Sequence, residues 1–309
     1  AKKEGTAYGE DTEVITSKLH AYLPSKNGEA PKKKAEKVVH PVVQPVVAQP
    51  VEQSNSGMNL PELSEDEYLE LKGANSSADV YVNGKLAVHH DGGYSTFRAN
   101  ITDLRTEESE IVVAVDNAPN DYVYPQMADF TFYGGIYRDV KLVVVNEHHF
   151  DMDYFGGPGI AVHAKVDGKD ASVWVRTWHN AENGTVSIRL KDADGNVVAS
   201  GQGTDAEILI PDVHLWDGLE DPYLYTCEAT LTADGVAVDM VSTRFGARYY
   251  HVDPQKGFFL NGRSYPLRGV CRHQDWKGIG NALHKEHHDT DMAMIREIGA
   301  NTIRLAHYQ

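Results

Sequence analysis

Ala78-Asp79-Val80-Tyr81-Val82-Asn83-Gly84-Lys85-Leu86-Ala87-Val88 alternates apolar and polar side chains on either side of Asn83-Gly84. Period-two alternation gives each run one apolar face, and Asn-Gly takes the positive φ angles of a two-residue hairpin, so the two runs are predicted to pair directly as antiparallel strands. Working outward, the same pattern returns at 110–116 and 138–146. A second β-rich block spans about 150–250, with strands predicted at 172–178, 186–190, 197–199, 223–231 and 236–245 and hairpin turns at Asp194-Gly195 and Asp234-Gly235. Short strands at near-regular spacing read as sandwiches.

The final stretch is different in kind. Leu267-Arg268-Gly269-Val270-Cys271 reads as a strand, and 286–298 places Met292, Ile295 and Ile298 on one helical face before a Gly299 stop. Thr302-Ile303-Arg304-Leu305 reads as a second strand. Strand, helix, strand is one βαβ unit, whose right-handed crossover makes the two strands parallel. Ahead of all this, 31–56 carries Lys32-Lys33-Lys34 and then His40-Pro41-Val42-Val43-Gln44-Pro45-Val46-Val47. Proline at that density reads as an extended spacer.

With 309 residues, the chain has room for two or three domains. Forty-five acidic against 29 basic residues, a formal charge of −16, argue against a nucleic-acid or anionic-membrane partner. Cys227 and Cys271 form neither a disulfide framework nor a metal motif, and no apolar run approaches the roughly 20 residues that span a bilayer. Two free thiols point to a reducing, cytoplasmic compartment, while a removed export signal stays open.

Five runs, in order, resemble family 2 glycoside hydrolases. The 78–85 run with Gly92-Gly93-Tyr94 and Phe97 resembles the late strands of the family's sugar-binding jelly roll, and Gly134-Gly135-Ile136-Tyr137-Arg138-Asp139-Val140 its closing strand. Leu215-Trp216 with Asp221-Pro222-Tyr223-Leu224-Tyr225 resembles a turn of the immunoglobulin-like second domain. Phe258-Phe259-Leu260-Asn261-Gly262-Arg263 through Leu267-Arg268-Gly269-Val270-Cys271-Arg272-His273 resembles the opening of the (β/α)8 barrel, and Gly299-Ala300-Asn301-Thr302-Ile303-Arg304-Leu305-Ala306-His307-Tyr308 its second strand. The expected architecture is therefore mainly β: residues 1–66 a polar segment and disordered linker, 67–147 a partial jelly-roll sandwich, 148–250 an immunoglobulin-like β-sandwich, and 251–309 the first βαβ of a barrel that needs about 250 residues. A jelly roll lacking its early strands would expose sheet edges.

The resemblance implies a retaining glycosidase in which two glutamates act as acid/base and nucleophile. Both lie on later barrel strands, beyond Gln309, so no catalytic residue is expected in this chain, and Glu286 and Glu297 read as solvated helix residues. It implies that Asp129 and His307 contact sugar hydroxyls, with His273 and Trp276 as further contacts, and that Asp129 could instead hold a cation. No metal site is expected in the chain itself and no cofactor is certain; sodium or magnesium is left open for the complete enzyme. Arg138 and Asp139 read as a structural pair, and Arg304 as an ion-pairing barrel residue. Gln274 departs from the acidic residue many members carry. The 273–283 loop and the Ala306-His307-Tyr308-Gln309 ending look like the β-galactosidase branch, so the expected partner is a β-galactoside and the complete enzyme a homo-oligomer. β-Glucuronidase and β-mannosidase stay open, as does a non-catalytic carbohydrate-binding or scaffold protein. A glucuronidase would need cations for the uronate, and the loops show no evident cluster in sequence.

Overall fold

The computed structural model describes residues 16–19, 65–123 and 130–306, the first four as backbone alone. The opening hairpin forms as predicted: Ser77–Val82 pairs antiparallel with Lys85–Asp91, and Asn83 and Gly84 take φ of +51° and +75°. Asn83 also has a second task, since its side-chain amide donates to Leu104 O (2.9 Å) and its side-chain oxygen accepts from Glu110 N (2.9 Å), tying the turn to the next crossing.

The hairpin belongs to a four-stranded sheet ordered Thr16–Leu19, Ile111–Asp116, Ser77–Val82, Lys85–Asp91, which shares one core with a sheet of Phe97–Asn100, Glu65–Leu71 and Val140–Asn146. Alternation places Val80, Val82, Ile111 and Val113 against Leu69, Leu71, Phe97 and Ala99, each almost wholly buried; each such side chain contributes about 1.5–3 kcal/mol on leaving water. Two findings revise the expected boundaries. Thr16–Leu19, within the segment read as polar and disordered, pairs antiparallel with Ile111–Ala114 and covers that edge, and Glu65–Leu71, reaching two residues before the expected boundary at 67, is a strand of the sandwich. Pairing with a complete strand supplies backbone partners that local composition does not reveal. The Pro/Val segment lies outside the described residues.

The second domain is a sandwich of three strands (Ile160–Asp167, Asp170–Thr177, Asp205–Ile210) on four (Val197–Gln202, Thr185–Lys191, Tyr225–Ala233, Val236–Phe245). Val173, Val175, Ile188, Leu190, Ala229 and Leu231 fill its core with Cys227, whose thiol is pushed up to about 12 by burial and then by the charge of Glu228. Buried His149 joins the two sandwiches. Its backbone N–H donates to Asn180 Oδ1 (2.8 Å), its ring Nε2 lies 3.2 Å from Tyr68 Oη and 3.4 Å from Asp66 Oδ2, and the next residue, Phe150, donates to Asp239 Oδ2 (2.8 Å).

A meander of Tyr250–Asp253, Gly257–Leu260 and Arg263–Ser264 leads to Gly269–Arg272, which pairs parallel with Thr302–Leu305 across the helix Lys285–Glu297. The βαβ unit is present, and Gly299 ends the helix with φ +75°. The expected apolar helix face, however, is not buried: Met292 is 40% and Ile298 70% exposed, because two strands offer the helix too little sheet to cover. Among the described residues no helix is long and apolar enough to cross a membrane.

His89 gives the first sandwich a pH-dependent element. Its Nδ1 is 2.7 Å from Asp79 Oδ1 and its Nε2 3.2 Å from Asp91 Oδ2, and these two hydrogen bonds raise its pKa. A raised folded-state pKa gives stability that is fully present below the ordinary value of about 6.5 and fades as pH rises through the folded one. Urea midpoints of the parent chain and His89→Gln, followed from about pH 5.5 to 8.5, should converge as pH rises; a constant gap would show that the charged pair adds nothing.

Candidate functional site at the barrel strand ends

Side chains at the C-terminal ends of parallel barrel strands converge on one mouth. Here those ends are Arg272 and Leu305, and the ladder continues one step further through Ala306 N to Arg272 O (3.1 Å). His273 leaves the first strand half-buried, and Phe130, from the first sandwich, stands edge-on to its ring with centroids 6.0 Å apart, itself packed on Phe132 at 4.4 Å. A loop of the first sandwich thus reaches the strand ends.

Among the described residues, two further contacts dock that sandwich on the first barrel loop. The Arg138 guanidinium donates through Nη1 to Tyr94 O (2.9 Å) and Lys72 O (3.3 Å) in its own domain, and through Nη2 to Gln274 Oε1 (2.9 Å) in the barrel. Tyr133 occupies the space left by the missing side chain of Gly280, where a Cβ would come 2.8 Å from the ring. Behind them, Asn75 Nδ2 donates to Tyr133 O (2.7 Å) and Tyr137 Oη to Gly93 O (2.8 Å). Gly93 has no room for a side chain, because a Cβ there would lie 2.1 Å from Asn75 Oδ1. The second glycine of the Gly-Gly-Tyr run is thus a packing requirement within the first sandwich, behind this interface.

Arg138 and Asp139 do not form the expected local pair: Asp139 meets Lys72 (3.6 Å), while Arg138 spans the domains. Arg304 reaches Cys271 Sγ at 3.6 Å. Trp276 is held in its loop by reciprocal backbone bonds with Gly280, and its ring stands edge-on to His287 at 5.0 Å. Glu286 and Glu297 are exposed on the helix. Asp129 and His307 lie outside the described residues; their neighbours Phe130 and Ala306 are the ones placed at the strand ends above.

Buried Arg272 donates to Asp291 Oδ2 through Nε (2.7 Å) and Nη2 (2.6 Å) and to His288 Nδ1 (2.9 Å). Because a guanidinium can only donate, His288 accepts at Nδ1 and carries its proton on Nε2. Burial, and then the charge of Arg272 with a smaller share from Arg138, pushes the His288 pKa down, which favours this neutral form. Among the described residues no three His, Cys, Asp or Glu side chains are grouped to hold a metal ion. The strand ends therefore offer imidazole, amide, guanidinium and aromatic surface, groups that hold and orient a polar ligand.

Comparison with known proteins assigns all three domains. The description "Glycosyl hydrolases family 2, sugar binding domain" matches residues 40–146, "Glycosyl hydrolases family 2" matches 158–248, and "Glycosyl hydrolases family 2, TIM barrel domain" matches 252–309. A β-glucuronidase of Bacteroides fragilis is 41% identical over 258 residues, covering 78% of this chain and 37% of that protein. A β-galactosidase of Bacteroides ovatus is 31% identical over 260 residues, covering 77% and 29%. Among solved structures, an FMN-binding β-glucuronidase from Faecalibacterium prausnitzii superposes with a TM-score of 0.77 at 43% identity, over 81% of this chain and 40% of that one. A putative β-galactosidase from Bacteroides fragilis superposes at 0.75 and 38%, over 79% and 39%. The chain thus spans well under half the length of these relatives.

Arg138→Met should loosen the docked loop. Losing a charge-assisted bond to the Gln274 amide removes about 1.5–3 kcal/mol locally, so amide hydrogen exchange in 273–283 should accelerate while the second sandwich is unaffected. Unchanged protection of that loop would mean that Tyr133 and Gly280 dock it without help.

Proposed function

The chain belongs to the glycosyl hydrolases of family 2, and from that premise we propose that it forms the sugar-holding wall of a retaining β-glycosidase whose preferred substrates are β-glucuronides. The observation that carries the choice of sugar is Arg138. The sequence favoured galactosides on the likeness of the 273–283 loop and the 306–309 ending to that branch, and along the chain no cationic cluster for a uronate is evident. In the folded protein the Arg138 guanidinium lies on the first barrel loop at Gln274, and its charge, with that of Arg272, is felt at His288. A glucuronide carries at C6 a carboxylate that a galactoside lacks, besides the opposite configuration at C4, and a guanidinium recognises a carboxylate through charge-assisted hydrogen bonds. The names of the more similar relatives support the same choice.

In this reading Asp129 and His307 hold sugar hydroxyls, His273 and Phe130 line the approach, and Trp276 buttresses the loop. The reaction is a double displacement by two carboxyl groups about 5–5.5 Å apart, supplied by glutamates of later barrel strands in the protein with a whole barrel. The second reading, a β-galactosidase, is favoured by the galactosidase relatives and the galactosidase-like 273–283 loop.

The test compares 4-nitrophenyl β-D-glucuronide with the β-D-galactoside on the protein carrying its complete barrel. The glucuronide should have the higher kcat/KM, and Arg138→Met should lower that value by about 10–100-fold, a larger loss than the one the loosened loop causes in galactoside turnover. A galactoside preference that ignores the substitution would establish the second reading. Asp129→Ala and His307→Ala should depress hydrolysis of either sugar. The 309-residue chain alone should hydrolyse neither, and turnover by it would place a carboxyl pair among these residues.

A further inference from the structure

Far from the strand ends in sequence, the loop 151–159 is built like a display. Both of its ends are pinned to the backbone of Trp178: Asp151 N donates to Trp178 O (2.9 Å) and Trp178 N to Gly159 O (3.0 Å). Its interior is held by Arg98, a buried arginine of the first sandwich, whose Nη1 donates to Met152 O (2.6 Å) and Gly157 O (3.0 Å) while the same guanidinium is paired with Glu70 at 2.7 Å. Gly156, at φ +64°, lies so close to Thr96 O that a Cβ would sit 2.1 Å from it. What this anchored loop presents is aromatic. Tyr154 lies flat on Trp178 (centroids 3.9 Å, 21° between planes), and Phe155 stands edge-on to Tyr154 at 4.7 Å with 88% of its surface exposed.

Phe155 also sits at φ +49°, a conformation that costs a bulky residue free energy of order 1–3 kcal/mol. Neither burial nor a cap offsets that cost, because the ring faces water and the short helical turn has no side-chain cap. A rigid frame that holds an exposed phenyl ring in a strained backbone conformation is explained by recognition. Asp151 and Asp153 stand in the loop itself, and the cation that holds it, Arg98, is paired with Glu70. Burial first, and then the charges of Asp66, Asp153 and Asp151, push up the pKa of nearby Tyr68. These carboxylates repel carboxylated or sulfated chains, while aromatic faces, electron-rich at their centres, meet the weakly positive axial C–H groups of a pyranose ring.

We infer that the loop 151–159, with Phe155 and the Tyr154–Trp178 stack, is a second, non-catalytic carbohydrate site that binds the face of a neutral pyranose chain. It shares no residue with the strand-end site and does not depend on which sugar is hydrolysed there. Its occupant differs in charge from the glucuronide proposed above, so the two sites would hold different parts of one glycan.

Phe155→Gly separates recognition from folding, since glycine adopts φ +49° without strain and should leave thermal stability equal or higher. The 309-residue chain and this variant are run in native gels cast with galactomannan, xyloglucan or mixed-linkage β-glucan as neutral probes and polygalacturonate as the anionic one, with sedimentation velocity alongside. The expected result is retardation by at least one neutral polysaccharide, none by polygalacturonate, and a loss of at least about tenfold in apparent affinity in Phe155→Gly at unimpaired stability. Absence of retardation by every neutral probe, retardation that survives Phe155→Gly, or concentration-dependent self-association abolished by that substitution, which would make the loop a contact between copies, would each overturn the inference.

Discussion

The site depends on one shared cation. Arg138 satisfies two backbone carbonyls of its own sandwich and one side-chain amide of the barrel with a single planar group. A guanidinium suits this task because its five donors are held in a fixed fork, so that two carbonyls on one domain orient the remaining N–H groups toward the other. Without it, the loop after the first barrel strand would keep, among the described contacts to the sandwich, Tyr133 in the space at Gly280 and Phe130 against His273. A lysine could not do the same, as its ammonium has no planar fork to divide between fixed acceptors.

Arg98 solves the same problem at the other domain junction. It leaves a strand of the first sandwich, pairs with Glu70 on the neighbouring strand and satisfies two carbonyls of the loop that opens the second domain. Buried backbone carbonyls in irregular segments need donors, and these two arginines supply them where sheets cannot. His149 completes that junction with contacts to Asn180, Tyr68 and Asp66, so that neighbouring domains are joined by directional polar contacts more than by a continuous apolar core. Each sandwich keeps its own hydrophobic cluster.

The barrel segment shows the opposite economy. Its two strands and helix have the right direction and register, yet Met292, Ile298 and Leu305 face water. An apolar helical face is a local property of the sequence, whereas its burial depends on how many strands stand beside it.

Much of the fold is legible along the chain because β-hairpins and βαβ units are written locally. Asn83-Gly84 specifies its turn, Val236–Phe245 and Thr302–Leu305 form where alternation places them, and Gly299 stops the helix. Ile160–Asp167 escaped because its apolar face is shallow, with Val162, Ala164 and Val166 only half-buried, and Asp205–Ile210 because Leu209 puts an apolar side chain on its exposed face beside the buried Ala206, Ile208 and Ile210. Thr16–Leu19 escaped because its pairing partner lies more than ninety residues away. His273 is placed at the strand ends where its motif suggested, while Asp129 and His307 lie outside the described residues. The sequence by itself determined the order of domains, the turns and the direction of the barrel strands, since each follows from side-chain periodicity and backbone preference within a few residues. Only the tertiary structure decided that Arg138 meets Gln274 and that Phe155 stands exposed beside Tyr154 and Trp178, because such meetings depend on how separate sheets pack and leave no periodic trace along the chain.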